Sequence, residues 1–461
     1  MATTASSDVE RAATDIVRRL AAAGHRTLWA GGCVRDRLMG RPAKDIDIVT
    51  AAPPAGIEAV FPDAKGVGRS FGVLIVVRGG HAFEIATFRR DEAYEDGRRP
   101  SSVSFCDERT DASRRDFTIN GLFYDPLRDE VIDYVGGRAD LERRLVRAIG
   151  DPARRFAEDH LRLLRAVRFC STLEFQLDPA TADAIRERAA SIRRISAERI
   201  QTELTRLLTE SPRAGRGLLL LRDVGLLREV LPEVAALEGV EQPPEFHPEG
   251  DVWTHTVLML DAMRAPAPAD LAWAVLLHDV GKPPTARMGP GADGRPRWRF
   301  DEHDRAGAEI ARRILERLRM PTRRIENVVQ AVAGHMRFRE VARMRRAKLR
   351  RLLASPTFEM ELELHRLDCE ASHRDVGNVE FLRRAQEEWR REPVLPPPLV
   401  NGRDVMALGV PEGPRTGRWV RWAYERQLES PGLTRDALLA DVTERLRREN
   451  ASGRPPAPRT E

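Results

Sequence analysis

The spacing of apolar residues changes near residue 150. Before that point, short apolar runs between turns predict strands at residues 28–30, 45–49, 72–77 and 82–88. A helix is expected ahead of these strands over residues 8–23, where apolar residues recur at helical spacing. From Asp151 onward the spacing is helical throughout. The pattern therefore predicts a first region that mixes strands and helices, followed by an α-helical remainder.

A glycine pair stands at the first predicted strand-to-helix turn. Residues 28–30 form the strand, residues 34–38 begin the helix, and Gly31 and Gly32 lie between them. Glycines allow the backbone to approach a ligand closely, and the free N–H groups at the start of a helix favour a phosphate. Arg35 lies in the first turn and could add a charged pair of donors to the same anion. The turn is therefore a candidate phosphate-binding site.

Two carboxylates follow on the next predicted strand. Side chains alternate between the faces of a strand, so Asp45 and Asp47 share one face, opposite the isoleucines that alternate with them. Paired carboxylates beside a phosphate-binding turn suit Mg²⁺ in phosphoryl or nucleotidyl transfer. Each feature alone is common in turns and at solvated strand edges. Their combination, GGxVRDxLxGxxxxDxD, is much more specific.

This combination resembles the nucleotidyltransferase signature of the DNA polymerase beta superfamily. It is most similar to the class II branch, which contains the CCA-adding tRNA nucleotidyltransferases and the bacterial poly(A) polymerases. The resemblance implies that Asp45 and Asp47 hold two Mg²⁺ ions in a catalytic head. It also implies that Glu84, inside an otherwise apolar strand, is the third catalytic carboxylate. Gly32 and Arg35 would bind the phosphates of the incoming nucleotide.

A second motif supports the same resemblance. Residues 114–120 read RRDFTIN, close to the family's RRDFTINAL motif, with Gly121 in place of the usual alanine. The resemblance implies that Arg115 contacts the triphosphate and that Asp116 and Asn120 shape the sugar pocket. An isolated Arg-Arg-Asp-Phe would more often form a surface salt bridge. The complete motif at this distance from the carboxylates favours the functional interpretation.

A charged stripe follows in the helical region, within a segment that resembles the family motif EDxxRxxRAxRF. Asp159, Arg162, Arg165 and Arg168 are spaced by three residues, which on a helix places them along one side. A neighbouring apolar stripe can face the core: Leu161, Leu164 and Val167. A carboxylate accepts from an exocyclic amine and a guanidinium donates to ring acceptors, which matches cytosine and adenine but not uracil and guanine. The resemblance implies that Asp159 and Arg162 read the base, with Arg165 and Arg168 supporting base and phosphates.

A separate group of potential metal ligands lies further along the chain: His255, His278, Asp279, His303, His335 and Asp368. Four of them, in the order H…HD…D, resemble the pattern of HD phosphohydrolases. His303 and His335 fall where extended HD sites carry extra ligands. Imidazole and carboxylate groups suit a divalent metal, and Ni²⁺, Mn²⁺, Co²⁺ or Mg²⁺ is expected here. Three further histidines receive no role: His247, His365 and His373.

Composition limits the possible classes of protein. The chain has 461 residues, 42% of them apolar and 32% charged, and a net charge of +5. It contains no apolar run of about 18 residues, so no membrane span is expected. The first twenty residues lack the apolar core of a secretory signal. The four cysteines lie far apart, which favours the cytoplasm over a disulfide framework.

We therefore expect an α+β N-terminal nucleotidyltransferase head with a small mixed sheet, followed by all-α neck, HD and tail domains. The expected boundaries are residues 1–150, 151–240, 241–375 and 376–461. The expected activity is CCA addition to tRNA from CTP and ATP, by a two-metal mechanism and without a nucleic-acid template. The HD domain could add hydrolysis of phosphates at RNA ends, such as 2′,3′-cyclic phosphates. The sequence does not predict an oligomeric state.

Three alternatives remain open. A poly(A) polymerase shares every head motif, although such polymerases usually lack the HD domain. A split enzyme would add only A or only CC. Residues 90–113 are polar and aperiodic, and resemble the loop that the family needs for adding the terminal adenosine, so the chain is not obviously shortened there. In the third alternative, a nucleotide phosphohydrolase, the HD site would do the chemistry and the head would merely bind RNA.

Overall fold

The computed structural model describes residues 7–42, 45–68, 71–91, 102–291, 294–391, 393–430 and 432–452. The central part of the aperiodic loop, residues 92–101, lies outside these ranges. The head contains strands β1 (Thr27–Ala30), β2 (Asp47–Thr50), β3 (Lys65–Gly68), β4 (Val73–Arg78), β5 (His81–Thr87), β6 (Arg89–Asp91), β7 (Val103–Phe105), β8 (Leu122–Asp125) and β9 (Glu130–Asp133). Its helices are α1 (Asp8–Ala22), α2 (Gly32–Leu38), α3 (Pro54–Val60), α4 (Glu108–Ser113) and α5 (Gly137–Glu142).

The head is built on a mixed seven-stranded sheet with the strand order β3-β4-β5-β2-β1-β8-β9. β2 and β5 pair in parallel, with Ile48 opposite Ile85, whereas their other partners in this sheet are antiparallel. Asp47 directly precedes Ile48, and Glu84 directly precedes Ile85. The two carboxylates therefore lie on neighbouring strands. β6 and β7 form a separate antiparallel pair. The expected mixed sheet is confirmed, and β4 and β5 form a hairpin that turns at Gly79-Gly80.

Everything after the head is mainly helical. Two short strands, β10 (Leu145–Val146) and β11 (Gln176–Leu177), pair in parallel where the head meets the neck, and β12 (Arg287–Pro290) pairs antiparallel with β13 (Pro296–Arg299). The neck helices are α6 (Pro152–Glu158), α7 (Arg162–Leu173), α8 (Pro179–Arg188), α9 (Ala197–Glu210), α10 (Ala214–Asp223), α11 (Leu226–Val230) and α12 (Pro232–Ala235).

The helices around the second group of ligands are α13 (Val252–Ala262), α14 (Ala269–Leu277), α15 (Lys282–Thr285), α16 (His303–Arg317), α17 (Thr322–Gly334), α18 (Arg346–Leu353) and α19 (Phe358–Ala371). The chain continues through α20 (Gly377–Glu388), α21 (Gly402–Ala407), α22 (Pro414–Glu429) and α23 (Arg435–Ser452). 3₁₀ segments lie at Thr118–Asn120, Ala189–Arg194, His335–Arg343 and Trp389–Arg391. None of the helices in the described ranges has the length and apolar character needed to cross a lipid bilayer.

One hydrophobic core runs from the head–neck junction into the helices of the second site. It begins at Phe117, includes the inward face of α9, and extends through Trp273 of α14 to Leu367 of α19. The fully buried Phe117 contributes roughly 2 to 3 kcal/mol by burial alone. Separate cores form around Phe338 and around Trp419. The neck and the second site are therefore packed against each other.

Two boundaries differ from the sequence-based prediction. The strand predicted over residues 45–49 begins only at Asp47, so Asp45 precedes it. Asp159 was expected on the same helix as the three arginines, but it has extended backbone angles (φ −142°, ψ 107°) and ends α6. α7 begins at Arg162, after a turn in which the Asp159 side chain accepts a hydrogen bond from the Leu161 N–H. A three-residue period therefore continues across a break between two helices.

Candidate functional site

The glycine turn brings the two head motifs together. Gly31 joins β1 to α2 with φ 77° and ψ −132°, which a side chain would rarely adopt. A Cβ on Gly31 would lie 3.2 Å from Arg115 Nη1 and 3.9 Å from Asp47 Oδ2. The absence of a side chain therefore leaves room for an arginine from the RRDFTIN motif beside the carboxylate of β2. α2 begins at Gly32, two residues before the predicted start of this helix.

The head carboxylates form an exposed acidic group. Asp45, Asp47 and Glu84 all reach solvent, while the isoleucines on the other face of β2 are buried. The surrounding protein nevertheless desolvates Asp47 and raises its pKa; Arg115 opposes this shift, and the charges of Glu84 and Asp45 reinforce it. Like charges held this close favour a bound cation, and oxygen ligands suit Mg²⁺.

The carboxylate oxygens of Asp45, Asp47 and Glu84 do not form a compact metal site. In the described part of the chain, the groups of three or more ligand atoms within 4.8 Å of one another all lie in the helical region. A metal in the head would therefore have to draw Asp45, Asp47 and Glu84 closer together. The donor chemistry fits Mg²⁺, whereas the spacing of the oxygens is wider than that of a closed site.

Arg115 is oriented by a buried carboxylate that sequence analysis did not select. Asp111 Oδ2 accepts from Arg115 Nε at 3.1 Å and Nη2 at 3.0 Å, and its Oδ1 accepts from Arg114 Nη2 at 2.6 Å. Burial would raise the pKa of Asp111, but Arg115 and Arg114 more than offset burial and lower it. Asp111 lies within the aperiodic polar segment, where no pattern distinguishes a buried acid from a solvated one.

A chain of hydrogen bonds connects the head to helix α7. Arg35 Nη1 donates to Asn120 Oδ1 at 2.7 Å, and Asn120 Nδ2 donates to Asp116 Oδ1 at 3.2 Å. Arg165 of α7 donates to Asp116 Oδ2 from Nε at 2.9 Å and from Nη2 at 2.6 Å. Burial would raise the pKa of Asp116, but mainly Arg165 lowers it to about 2, so the carboxylate stays ionised. Four residues singled out from three separate motifs thus form one network.

Arg162 lies at the same junction. Its Nη1 donates to Glu158 Oε2 and to the carbonyl of Arg155, each at 3.0 Å, and its Nη2 donates to the carbonyl of Arg114 at 3.1 Å. The residue is only 8% exposed, so it is not part of a solvated surface stripe. Its guanidinium is held in place between the neck and the RRDFTIN motif.

The other two residues of the predicted stripe are held by helix α9. Arg199 Nη2 donates to Asp159 Oδ2 at 3.0 Å. Arg168 Nε donates to Glu203 Oε2 at 2.5 Å, and Arg165 Nη1 lies 3.7 Å from Glu203 Oε1. Arg168 is buried beneath the junction, which favours a supporting role over direct contact with a ligand.

The six predicted ligands of the second site converge from separate helices. His255 is on α13, His278 and Asp279 follow α14, His303 begins α16, His335 follows α17, and Asp368 is on α19. His255 Nε2 lies 3.1 Å from Asp368 Oδ1, and His278 Nε2 lies 3.1 Å from Asp279 Oδ2. Neither Nε2 atom makes a well-directed hydrogen bond, although both are buried. Buried, unpaired nitrogen atoms beside carboxylates are a suitable set of ligands for a cation.

Hydrogen bonds on the far side of each ring turn the other nitrogen inward. The Nδ1 atoms of His278, His303 and His335 each lie within 2.8 Å of a backbone carbonyl, and that of His255 lies 2.6 Å from Glu249 Oε1. An Nδ1–H that donates outward leaves the Nε2 lone pair free for a metal. Backbone carbonyls therefore favour the metal-binding tautomer of His278, His303 and His335, and the Glu249 side chain favours it in His255.

Two groups of ligands share Asp279. One contains His255, His278 and Asp279, and the other contains Asp279, His303 and His335. Asp279 Oδ1 lies 3.6 Å from His303 Nε2 and 3.8 Å from His335 Nε2, and its Oδ2 faces His278. Asp279 would thus be a candidate ligand in both groups.

The structure adds three residues to this site that sequence analysis did not select. Glu249 accepts from both His255 and His247, which lies 2.9 Å away, so one carboxylate orients two imidazoles. Lys282 Nζ lies 2.7 Å from Asp279 Oδ2 and balances the charge of that carboxylate.

Burial would lower the pKa of His255, but Asp368 and Glu249 raise it to about 9. A positive charge is therefore favoured there, whether it is a proton or a metal.

Three family models match consecutive parts of the chain. The poly A polymerase head domain matches residues 27–147, the probable RNA and SrmB-binding site of polymerase A matches residues 174–237, and the HD domain matches residues 251–371. The matches fall on the head, the neck and the helices of the second site. Their order is the one expected from the motifs.

Curated relatives are similar over roughly half of the chain. The CCA-adding enzyme of Geobacillus stearothermophilus is 43% identical over 272 residues, which cover 58% of this chain and 63% of the relative. That of Bacillus licheniformis is 44% identical over 219 residues, covering 47% of this chain and 55% of the relative. The chain thus spans between half and two thirds of the length of the curated relatives it matches.

Solved structures are similar over nearly the full length. The Bacillus stearothermophilus CCA-adding enzyme in complex with CTP matches with a TM-score of 0.72 and 28% identity, over 96% of this chain and 98% of that one. The Thermotoga maritima CCA-adding enzyme complexed with tRNA matches with a TM-score of 0.58 and 17% identity, over 94% of each chain. The second similarity is one of fold alone.

Proposed function

We propose that the chain is a member of the family of class II CCA-adding tRNA nucleotidyltransferases and poly(A) polymerases with an HD domain, and that it adds C, C and A to tRNA 3′ ends from CTP and ATP. The observation that carries this proposal is the network from Arg35 through Asn120 and Asp116 to Arg165. It joins the phosphate-binding turn to the helix that carries the base-reading motif, so one pocket could hold a whole nucleotide.

In the head, Asp45 and Asp47, assisted by Glu84, would hold two Mg²⁺ ions. When bound, these ions would lower the pKa of the tRNA 3′-OH and stabilise the charge on the triphosphate. Gly32 and Arg35 would bind phosphates at the start of α2, and Arg115 would add a guanidinium aligned by Asp111. The 3′ oxygen would then attack the α-phosphorus, and pyrophosphate would leave.

Base selection in this proposal depends on a carboxylate and a guanidinium. Asp159 would accept from the exocyclic amine of C or A, and Arg162 would donate to the neighbouring ring acceptor. Asp116 and Asn120 would contact the sugar, and Arg165 and Arg168 would support base and phosphates. Because the contacts of Arg162 fix its guanidinium, the protein itself could act as the template.

The HD domain favours CCA addition over poly(A) addition. Poly(A) polymerases share the head motifs but usually lack this domain, which matches residues 251–371 here. The test is to incubate purified protein with tRNA that lacks its 3′ end, supplying CTP and ATP singly and together. CTP alone should give two added residues, and ATP should be used only after them. A tail of many A residues with ATP alone would instead select a poly(A) polymerase.

A second activity, metal-dependent hydrolysis of phosphates at RNA ends, is supported by the buried Nε2 atoms of His255 and His278. With Asp279 and Asp368 they would hold one divalent ion, and His303 with His335 would complete a second position. Ni²⁺, Mn²⁺, Co²⁺ and Mg²⁺ are the candidate ions. A bound ion would activate water and polarise a phosphate ester. Lys282 would balance the charge on Asp279.

The second activity is tested with a 2′,3′-cyclic nucleotide and each of the four metals in turn. Hydrolysis by the wild type that is lost in a His278→Ala/Asp279→Ala double variant would support it. An inactive wild type would remove the proposal, and equal turnover in the double variant would place the activity elsewhere. Metal content measured on the same samples separates loss of the ion from loss of catalysis.

The division into four domains at residues 150, 240 and 375 stays part of the proposal. The cytoplasm also stays our proposed compartment, because all four cysteines are free thiols and three of them are buried.

A further inference from the structure

The cleft above the HD ligands has a rim that those ligands do not explain. Its buried end contains His278 and Asp279, whereas its outer part is lined by Phe246, Arg297 and Arg339. The cavity measures about 280 Å³ and opens to solvent. It therefore has a polar end that suits a metal and a phosphate, and a cationic, aromatic end that suits a different chemical group.

The rim is fixed relative to the ligands by the β12–β13 hairpin. Arg297 lies on β13 opposite Gly289 of β12. Directly after β13, the carbonyl of Phe300 lies 2.7 Å from His303 Nδ1. The hairpin is thus tied to one of the histidines of the site. A ligand that contacts both the rim and the histidines would meet a preformed arrangement.

Phe246 is the central residue of the rim. It is 40% exposed, which alone would be unremarkable because single exposed apolar side chains are common. Here, however, the Cζ atoms of Arg297 and Arg339 lie 5.5 Å and 5.7 Å from the centre of its ring. Arg297 is further held by Glu245, at 3.2 Å. The result is an accessible ring flanked by two planar cations at the mouth of the cleft.

We propose that Phe246, Arg297 and Arg339 form a nucleobase subsite for a nucleotide whose phosphate lies at the HD ligands. The inference rests on the hydrolytic site proposed above and specifies its ligand. Bases stack on aromatic rings and on guanidinium planes, whatever their identity. The two arginines also favour the negative charge of a phosphate. The cleft would thus distinguish a nucleotide from a phosphate ester that has no base.

Binding without turnover tests the subsite. The full-length protein is titrated in EDTA with 2′,3′-cyclic AMP and with the corresponding methyl riboside cyclic phosphate, which lacks the base. The wild type should bind the nucleotide roughly tenfold more tightly or better, the usual contribution of one stacked base. Phe246→Ala should remove this difference, and Phe246→Tyr should keep it. Leu395→Ala, which truncates an exposed apolar side chain that does not line the cleft, should change nothing.

Two results would overturn the subsite. One is equal affinity of the wild type for both ligands, and the other is a base preference that survives Phe246→Ala, which would place the base elsewhere, for example in the head. Separate assays with Mn²⁺ distinguish failure of hydrolysis from failure of the subsite. Base-dependent binding without turnover removes only the hydrolase, and equal affinity with turnover removes only the subsite.

The same titration identifies the source of the nucleotide. A trinucleotide that ends in a 2′,3′-cyclic phosphate is compared with the mononucleotide. Tighter binding of the trinucleotide, lost in Phe246→Ala, assigns the subsite to an RNA end. Equal binding assigns it to a free nucleotide.

Discussion

At the residue scale, the head holds like charges close together. Asp47 and Glu84 lie on the neighbouring parallel strands β2 and β5, and the charges of Glu84 and Asp45 raise the electrostatic cost of ionising Asp47. Arg115 offsets only part of this cost. The repulsion between these carboxylates is unfavourable in the metal-free protein, and a bound divalent cation would make their arrangement favourable. The charges therefore indicate a site for catalysis more than for stability.

Replacing either aspartate should stop the chemistry. Asp45→Ala and Asp47→Ala should each leave less than a few per cent of wild-type addition of both C and A, because the metals act on the chemical step. Affinity for tRNA, measured by filter binding, should change little. Glu130→Ala, at an exposed position on β9, is a suitable control. Substantial turnover in either aspartate variant would contradict the assignment.

The choice of base should depend on the groups that face the base edge. Arg162→Ala and Asp159→Ala should raise the use of UTP and GTP relative to CTP and ATP. A site that hydrogen-bonds a substrate edge rejects wrong ligands by orders of magnitude, because they leave buried polar groups unpaired. The measurement is kcat/KM for all four nucleotides.

Arg186→Ala is the matched control for this measurement, because Arg186 is an exposed neck arginine paired with Asp183. Its selectivity should equal that of the wild type. Variants at Arg162 and Asp159 that lose rate but keep full selectivity would show that the base is read elsewhere.

At the element scale, helix α9 fixes α7 through an ion pair. Arg168 and Glu203 are both almost fully buried, with side-chain exposures of 3% and 6%. Loss of one partner from a buried pair is costly, because it leaves an uncompensated charge. α9 also contacts α14 of the second site, where Trp273 Nε1 donates to Thr205 Oγ1. The helix thus lies between the two sites.

Removal of one partner of this pair should destabilise the neck. Glu203→Ala should cost about 3 to 5 kcal/mol and lower the temperature of unfolding, measured by fluorescence. The double variant Glu203→Leu/Arg168→Met should recover much of that loss, because it removes both charges and refills the space. A double variant less stable than Glu203→Ala would contradict this account.

The sequence predicted the elements better than their ends. Short apolar runs were sufficient to predict β4 and β5, and the six residues predicted as ligands of the second site do lie near one another. A period of three, in contrast, placed Asp159 on a helix that begins only at Arg162. The spacing of side chains in a sequence does not reveal a break between two helices when the break preserves the period.

The functional residues that the sequence did not reveal are mainly buried polar partners of the predicted site residues. Asp111 and Glu249 orient functional side chains, but each is one acid among many in a polar segment. Their roles depend on which groups the fold brings within 3 Å. Sequence spacing carries that information only within one helix or strand.

At the scale of the whole molecule, one core joins the neck to the second site, yet the two sets of predicted metal ligands are separate. The head carboxylates lie on β2 and β5, whereas the HD ligands lie on or next to α13, α14, α16, α17 and α19. Shared packing makes the folding of these regions interdependent. The chemistry of each site, in contrast, depends on its own ligands.

The two sites should therefore be separable. The His278→Ala/Asp279→Ala variant should lose metal at the HD site and still add CCA at close to the wild-type rate. Because both residues are buried, circular dichroism must first show that the variant is folded. Asp279→Asn, which keeps the shape of the side chain, provides a second test. Loss of CCA addition in folded samples of both would show that the head depends on the HD metal.

The most direct test of the central claim is to sequence the 3′ ends of tRNA after reaction with CTP and ATP together. The substrate is a tRNA transcript that lacks its last three nucleotides. We expect a single product that ends in CCA and grows no further with time. Products that stop at CC in the presence of ATP, or that carry long runs of A, would contradict it.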